Sequence, residues 1–403
     1  MYKQNKTAPP ISIVGIGGIF PQAANVSEFW KIIEAAHCTS STPPAGRWRL
    51  PVEEVYHRSE GKIDCVYSKR GCFVDSAKAE LPYSKLKIDA KTVQSLDPIF
   101  QLLLHAGCQA YDDAKLSHVN HDRMGVIIGN LALPSETTSQ LAQEYLGRTF
   151  EEQLSATDLP GDKTAPINRF MTGLPAAVLA KALGLGGRCF TLDAACASSL
   201  YAIKLAVDEL QSGRADVMLT GGVARPDSQY TQMGFSQLHA LSPTGVCSPF
   251  NHSGHGLVVG EGAGIMLLKR TEDARRDGDH IYAEIAGIGL SNDIGGSLLA
   301  PMSEGQLRAM RSAYQQAGWK PEDIDHIECH ATGTPVGDAV EFDSLKQLWA
   351  DSTTDHSCVL GSVKSNIGHL LTAAGSAAVI KTVLALKNKT LPPTAGFEHS
   401  SPQ

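Results

Sequence analysis

The sequence predicts an α/β fold. Strand-like apolar runs alternate with segments of helical spacing along the whole chain, the pattern of strands and helices packed in layers. A cysteine, Cys196, stands where one such strand gives way to a helix. The stretch Ile281–Gly289 also echoes the opening strand and its glycines, which suggests a duplicated unit with two similar halves.

The elements follow in order. Ile11–Val14 is the first strand, closed by Gly15-Ile16-Gly17-Gly18, after a tail over residues 1–10. Residues 41–75 are rich in Pro, Gly, Arg and Tyr without periodicity and read as an ordered surface excursion. Gly125–Gly129 and Cys189–Leu192 are the next strands. Beyond Cys196, apolar Leu200, Ile203, Ala206, Val207 and Leu210 share one helical face, and Gly213 suits the helix end. Val217–Thr220 is another strand. The second half starts near Ile281, with a helix over Glu304–Ala317, strands at His326–Cys329 and Val359–Leu360, and a helix from about His369 to Leu386. That helix carries Ala373-Ala374-Gly375-Ser376-Ala377-Ala378, small enough for close approach to another backbone. The two halves are expected over residues 11–270 and 271–403.

The chain has 403 residues, 42% of them hydrophobic and 19% charged, which fits a globular protein with a sizeable core. A net charge of -7 argues against a broad nucleic-acid surface. Nine cysteines without a C-x-x-C pair suggest neither a disulfide framework nor a zinc site, and imply a reducing, cytoplasmic setting. The polar start is no signal peptide, and no apolar run approaches the ~20 residues of a membrane span.

Asp193-Ala194-Ala195-Cys196-Ala197-Ser198-Ser199 carries the chemistry. Unpaired N–H groups at a helix start point at such a sulfur and favour its thiolate. His330 follows a strand in Glu328-Cys329-His330-Ala331-Thr332-Gly333-Thr334, and His369 ends Lys364-Ser365-Asn366-Ile367-Gly368-His369. A histidine at a helix start stays neutral and offers a ring N–H. Two such rings could hold a thioester carbonyl as charge builds on its oxygen. Either histidine alone reads as structural; both beside a primed cysteine read as a site. Lys364 precedes His369 by one short loop, and Glu341 could pair with it and order that loop. Gly15–Gly18 invites a nucleotide-binding reading, but the third glycine of G-x-G-x-x-G is absent.

These stretches resemble the β-ketoacyl synthases of the thiolase superfamily. The matching strings are DAACASS, ECHATGTPVGD, KSNIGH, LSPTGVCSPF and GEGAG, and the likeness covers nearly the whole chain. The excursion with Arg47-Trp48 looks like the modular and iterative polyketide type, and Gly287–Gln306 with AVEFDSLKQLW looks like bacterial polyunsaturated fatty-acid synthases. The chain departs at His239, Asn251 and His255, where the family usually has arginine and aspartates.

The resemblance implies two βαβαβαββ halves in an α-β-α-β-α core. It implies an acyltransferase that carries an acyl chain on Cys196 and condenses it with a malonyl thioester, losing carbon dioxide. His330 and His369 would stabilise the enolate, Lys364 and Glu341 would support His369 and its loop, and the Cys196 N–H would be an oxyanion donor. Phe235, Thr332 and Thr334 would lie against the substrate. No metal or bound cofactor is implied; substrates would ride on the phosphopantetheine of acyl carrier protein or on coenzyme A. The partners implied are acyl carrier protein and a second copy or a chain-length-factor domain. The family ends in a Phe- and Gly-rich loop that this chain, ending at Gln403, does not reach, so the second half is expected to be incomplete, which could leave it unstable or slow, with an inactive truncated fragment as the alternative.

Rival readings are a non-condensing chain-length-factor or decarboxylase-like partner, a degradative thiolase, a cysteine protease and a non-catalytic scaffold. The first commonly lacks the cysteine, the second would add a cysteine near its end, and the third needs a peptide groove of which no motif is found.

Overall fold

Strand β1 runs from Ile11 to Ile19, straight through the glycines expected to end it. In the computed structural model, which describes residues 9–59, 62–75, 78–79, 81–117, 120–154, 165–296, 300–350 and 357–401, these glycines admit a helix. A Cβ on Gly17 would lie 2.2 Å from the Ala106 carbonyl oxygen, and one on Gly15 2.4 Å from that of Ala110. The Pro98–Ala114 helix therefore packs directly on the strand backbone. Gly15–Gly18 lies within a strand and is not a phosphate-binding loop. Most of the expected N-terminal tail, residues 1–8, lies outside the described residues.

The main sheet adds β2 (Met124–Gly129), β3 (Cys189–Leu192), β4 (Val217–Ala224), β5 (Gly262–Arg270) and β6 (Ala283–Ile285), in the order β3-β2-β4-β5-β1-β6. β2 is parallel to β3 and β4, whereas β4–β5, β5–β1 and β1–β6 are antiparallel. The strand expected to open the second half is thus β6, and it extends the first half's sheet, with Ile11 opposite Ile285. A second, parallel sheet joins β7 (His326–Glu328) to β8 (Val359–Gly361).

The helices form layers around these sheets. Pro98–Ala114 and Pro175–Leu183 cover one face of the main sheet. Ser198–Gln211 and Ala374–Asn388 cover the other, and the latter also touches β7. Met310 of the Ser303–Ala317 helix, and Leu345 and Trp349 of the Pro335–Trp349 helix, pack beside Ile327 and Leu360 of the second sheet. The architecture is α/β and layered α-β-α-β-α.

The small residues of the last helix do what their size suggests. A Cβ on Gly375 would fall 2.7 Å from Leu200 Cγ, and the Ser376 N–H donates to Ser199 Oγ at 3.0 Å. The helix following Cys196 and the helix following His369 are thus locked together. That last helix starts at Ala374 rather than His369. Residues Lys364–Ile367 form a single turn, and positive φ at Gly368 (69°) and Leu371 (48°) interrupts the helical path.

Candidate active site

Between β3 and the Ser198–Gln211 helix the chain turns sharply, with Ala195 at φ 50°. This left-handed conformation costs a non-glycine residue about 1–2 kcal/mol. Neighbouring side chains hold it. Asp193 accepts the N–H groups of Ala195 (2.9 Å) and Ala132 (3.0 Å). Ser198 Oγ accepts the Ala194 N–H (2.8 Å) and donates to the Ala195 carbonyl (2.6 Å). The elbow leaves Cys196 half-buried. Burial pushes its thiol pKa up; Lys364 and the Cys196 N–H pull it down by less, and Asp193 adds to the rise. The net shift is upward, against the lowering expected of a helix start, because loss of water outweighs it.

His330 follows β7, on a loop held by one face of the Pro335–Trp349 helix. Glu341 accepts the His330 and Ala331 N–H groups, both at 2.7 Å. One turn earlier, Asp338 accepts the N–H groups of Phe250 (2.9 Å), Thr332 (3.0 Å) and Gly333 (3.2 Å). Gly333 sits at φ 77°, where only glycine is unstrained. Dense packing pushes the His330 pKa down to about 3, and Lys364 adds to the shift. The residue keeps an open face to solvent, and water there moderates the shift without reversing it.

His369 is almost wholly buried, at 2% exposure. Its N–H donates to the Val258 carbonyl (2.7 Å), and its own carbonyl accepts from Gly260 (2.9 Å). Its ring Nδ1 lies 3.0 Å from the N–H of Leu371. A backbone N–H only donates, so Nδ1 is bare and a neutral ring carries its proton on Nε2. Burial, His330 and Lys364 all hold the pKa well below the usual histidine range. The two rings lie 5.2 Å apart between centroids and nearly perpendicular, at 82°.

Lys364 is buried beside this pair, at 2% exposure. Its charge acts on Cys196, His330, His369 and Glu341 alike, so one cation gathers the predicted residues into one electrostatic neighbourhood. The direct Lys364–Glu341 pair is not formed among the described residues. Glu341 is spent on backbone N–H groups instead. Thr332 is buried and its Oγ1 lies 2.9 Å from that of Thr334. Phe235 packs between the main core and the Tyr67–Leu241–Leu257–Val259 cluster; Val259 in turn bridges to His369.

Sequence reasoning missed Asp338, Asp193 and Ser198 as the residues that hold these turns. Asp338 precedes Glu341 by one helical turn, and that spacing was the available signal. It also missed the clamp on the surface excursion. Arg47 meets Glu261 and Glu136, each at 2.6 Å, and Arg225 meets Glu136 at 3.1 Å. Glu261 lies in the GEGAG stretch, so the clamp ties the excursion to the segment that backs His369. An apolar cavity of about 490 Å³ lined by Phe250, Phe342, Leu360 and Phe397 is lined by none of the predicted site residues.

The fold thus sets a cysteine on a strand–helix elbow and two histidines around Lys364. Family models for the β-ketoacyl synthase N-terminal and C-terminal domains match residues 8–274 and 282–398, and the chain belongs to the β-ketoacyl synthase family. It is 34% identical over 405 residues to polyketide synthase PksN of Bacillus subtilis (strain 168), a match covering 98% of this chain and 7% of that protein. It is 36% identical over 325 residues to a polyunsaturated fatty acid synthase component of Thraustochytrium sp., covering 76% of this chain and 15% of the other. Among solved structures it resembles the PfaC keto synthase–chain length factor, with TM-score 0.91 and 37% identity over 97% of this chain and 43% of that one. The chain thus spans 7% and 15% of the length of these two relatives.

Proposed function

We propose that this chain is a 3-ketoacyl synthase domain of polyunsaturated fatty-acid or polyketide biosynthesis, divided near residue 270 into a half bearing Cys196 and a half bearing both histidines. The observation that carries the reading is the His369 Nδ1–Leu371 N–H bond. It leaves a neutral ring with a donor and no base, which suits an oxyanion and does not suit proton abstraction.

In the first half-reaction the Cys196 sulfur attacks the carbonyl of an acyl thioester. The bond to the carrier's sulfur breaks, and the thiol proton passes to the leaving thiolate. In the second, the carbonyl oxygen of a malonyl thioester takes N–H donors from His330 and His369. Carbon dioxide leaves, its bonding pair becomes the enolate, and the enolate carbon attacks the Cys196 thioester. The Cys196 N–H supports the oxyanion until the C–S bond breaks, which releases a 3-ketoacyl thioester two carbons longer and the Cys196 thiolate, and the thiolate takes a proton from water. Burial, with Lys364 adding to it, keeps both rings neutral, Lys364 lowers the Cys196 pKa, Glu341 fixes the His330 loop, and Phe235, Thr332 and Thr334 line the approach.

The substrates ride on the phosphopantetheine of acyl carrier protein or on coenzyme A, in a cytoplasmic setting that suits nine free thiols. A second copy, or a chain-length-factor domain, pairs along β3. That strand is an edge of the main sheet, and it presents exposed Phe190.

The test is to incubate the chain with a fatty-acyl thioester and measure its intact mass. One acyl group is gained, and the gain is absent in Cys196→Ala. A folded chain that gains none overturns the assignment.

A further inference from the structure

We infer that Glu328 is the positioning residue that sets His330 and His369 in their paired geometry, with Lys381 as its buried counter-ion. The inference rests on the decarboxylating role proposed above for the two rings.

Glu328 ends β7, and its carboxylate joins three segments. One oxygen accepts the Val363 N–H at 2.5 Å; the other lies 2.6 Å from Lys381 Nζ. The contact is a buried ion pair. Side-chain exposures are 6% for Glu328 and 1% for Lys381. His326 Nδ1 lies 3.0 Å from the Val359 carbonyl and must donate to it, while Nε2 sits 3.6 Å from Glu328. Burial raises the Glu328 pKa, but His326, Lys381 and the Val363 N–H outweigh it and keep the carboxylate ionised.

A buried ion pair is a weak source of stability, since apolar residues of matched volume often serve as well. What this pair joins is the informative part. Glu328 leads through Cys329 into His330. Val363 leads through Lys364 to His369. Lys381 stands on the helix that follows His369. A shift of this carboxylate therefore moves both rings relative to each other. Room for the cluster comes from Gly361, opposite Glu328 in the sheet. A Cβ there would lie 3.1 Å from His326 Cε1, 3.2 Å from Lys381 Nζ and 3.4 Å from Glu328 Oε2.

Two variants of the full chain test this. Gly361→Ala nudges the pair without changing charge. The double variant Glu328→Gln/Lys381→Met removes both charges together. Each is assayed for acyl gain at Cys196 and for carbon dioxide release from a malonyl thioester. The expected result is acylation within about twofold of wild type and decarboxylation slowed about tenfold or more, since small misplacements of reacting groups carry large rate costs. A parallel readout needs no turnover: ¹⁵N spectra of histidine-labelled chain are expected to show both ring signals shifted in Gly361→Ala. Unchanged ring signals, or an unchanged ratio of decarboxylation to acylation in a folded Gly361→Ala chain, overturn the inference. If the double variant fails to fold, Gly361→Ala decides alone. Failure of wild type to release carbon dioxide overturns the functional reading instead, and the ring signals still decide the positioning claim.

Discussion

The N–H of Leu371 donates to Nδ1 of His369 at 3.0 Å, from a residue whose own backbone sits at φ 48°. A strained backbone thus fixes which nitrogen of the ring carries the proton. The donor so created is aimed at developing negative charge and not at a substrate proton.

Loss of that donor is expected to strike decarboxylation and spare acylation. His369→Ala should slow carbon dioxide release by roughly 10²–10³-fold, the usual cost of one oxyanion donor, while Cys196 still takes an acyl group. Intact mass and carbon dioxide assays on one preparation check this. Equal loss of both steps would contradict it.

The same burial predicts a pH signature. Both rings titrate below the ordinary histidine value of 6.5. Above that value, folded and unfolded chains both hold them neutral, and they add no pH dependence. Below it the unfolded chain binds protons that the folded chain refuses, so stability falls as pH drops toward the depressed values. Thermal melts of wild type and His369→Ala between about pH 7.5 and 5 should show a shallower loss in the variant. Parallel curves would mean that His369 titrates normally.

Lys364 lowers the Cys196 pKa against burial. Lys364→Met should therefore slow alkylation of Cys196 by iodoacetamide near pH 8 by roughly threefold or more. Quantifying the Cys196 peptide separates it from buried Cys72 and Cys247, whose thiols burial pushes far up. An unchanged rate would remove Lys364 from the electrostatics of the nucleophile.

Gly17 is read as a packing residue. Gly17→Ala drives a Cβ toward the Ala106 carbonyl and should destabilise the chain by about 2–3 kcal/mol, as overpacking does. Urea unfolding measures it, and a loss within about 0.5 kcal/mol would contradict the close approach.

Much of this was legible in the sequence, for physical reasons. The helix after Cys196 shows its apolar spacing, and β2 is a short apolar run between Gly125 and Gly129. The glycines of β1 misled because a gap for a helix looks like a turn when the helix is Pro98–Ala114, far along the chain. The start of the last helix was misplaced because positive φ at Leu371 leaves no trace in residue type. The upward shift of the Cys196 thiol was not legible because burial is a tertiary quantity. The Glu341 contact was missed because a carboxylate expected near a lysine says nothing of the N–H groups competing for it.

The central claim is condensation through Cys196 and two neutral histidines. Its most direct test is to supply the chain with an acyl thioester and an isotopically labelled malonyl thioester and to analyse the products by mass. The account predicts a 3-ketoacyl thioester two carbons longer that carries the label, with equimolar carbon dioxide, and none from Cys196→Ala. Acylated Cys196 that persists beside intact malonyl thioester would contradict it.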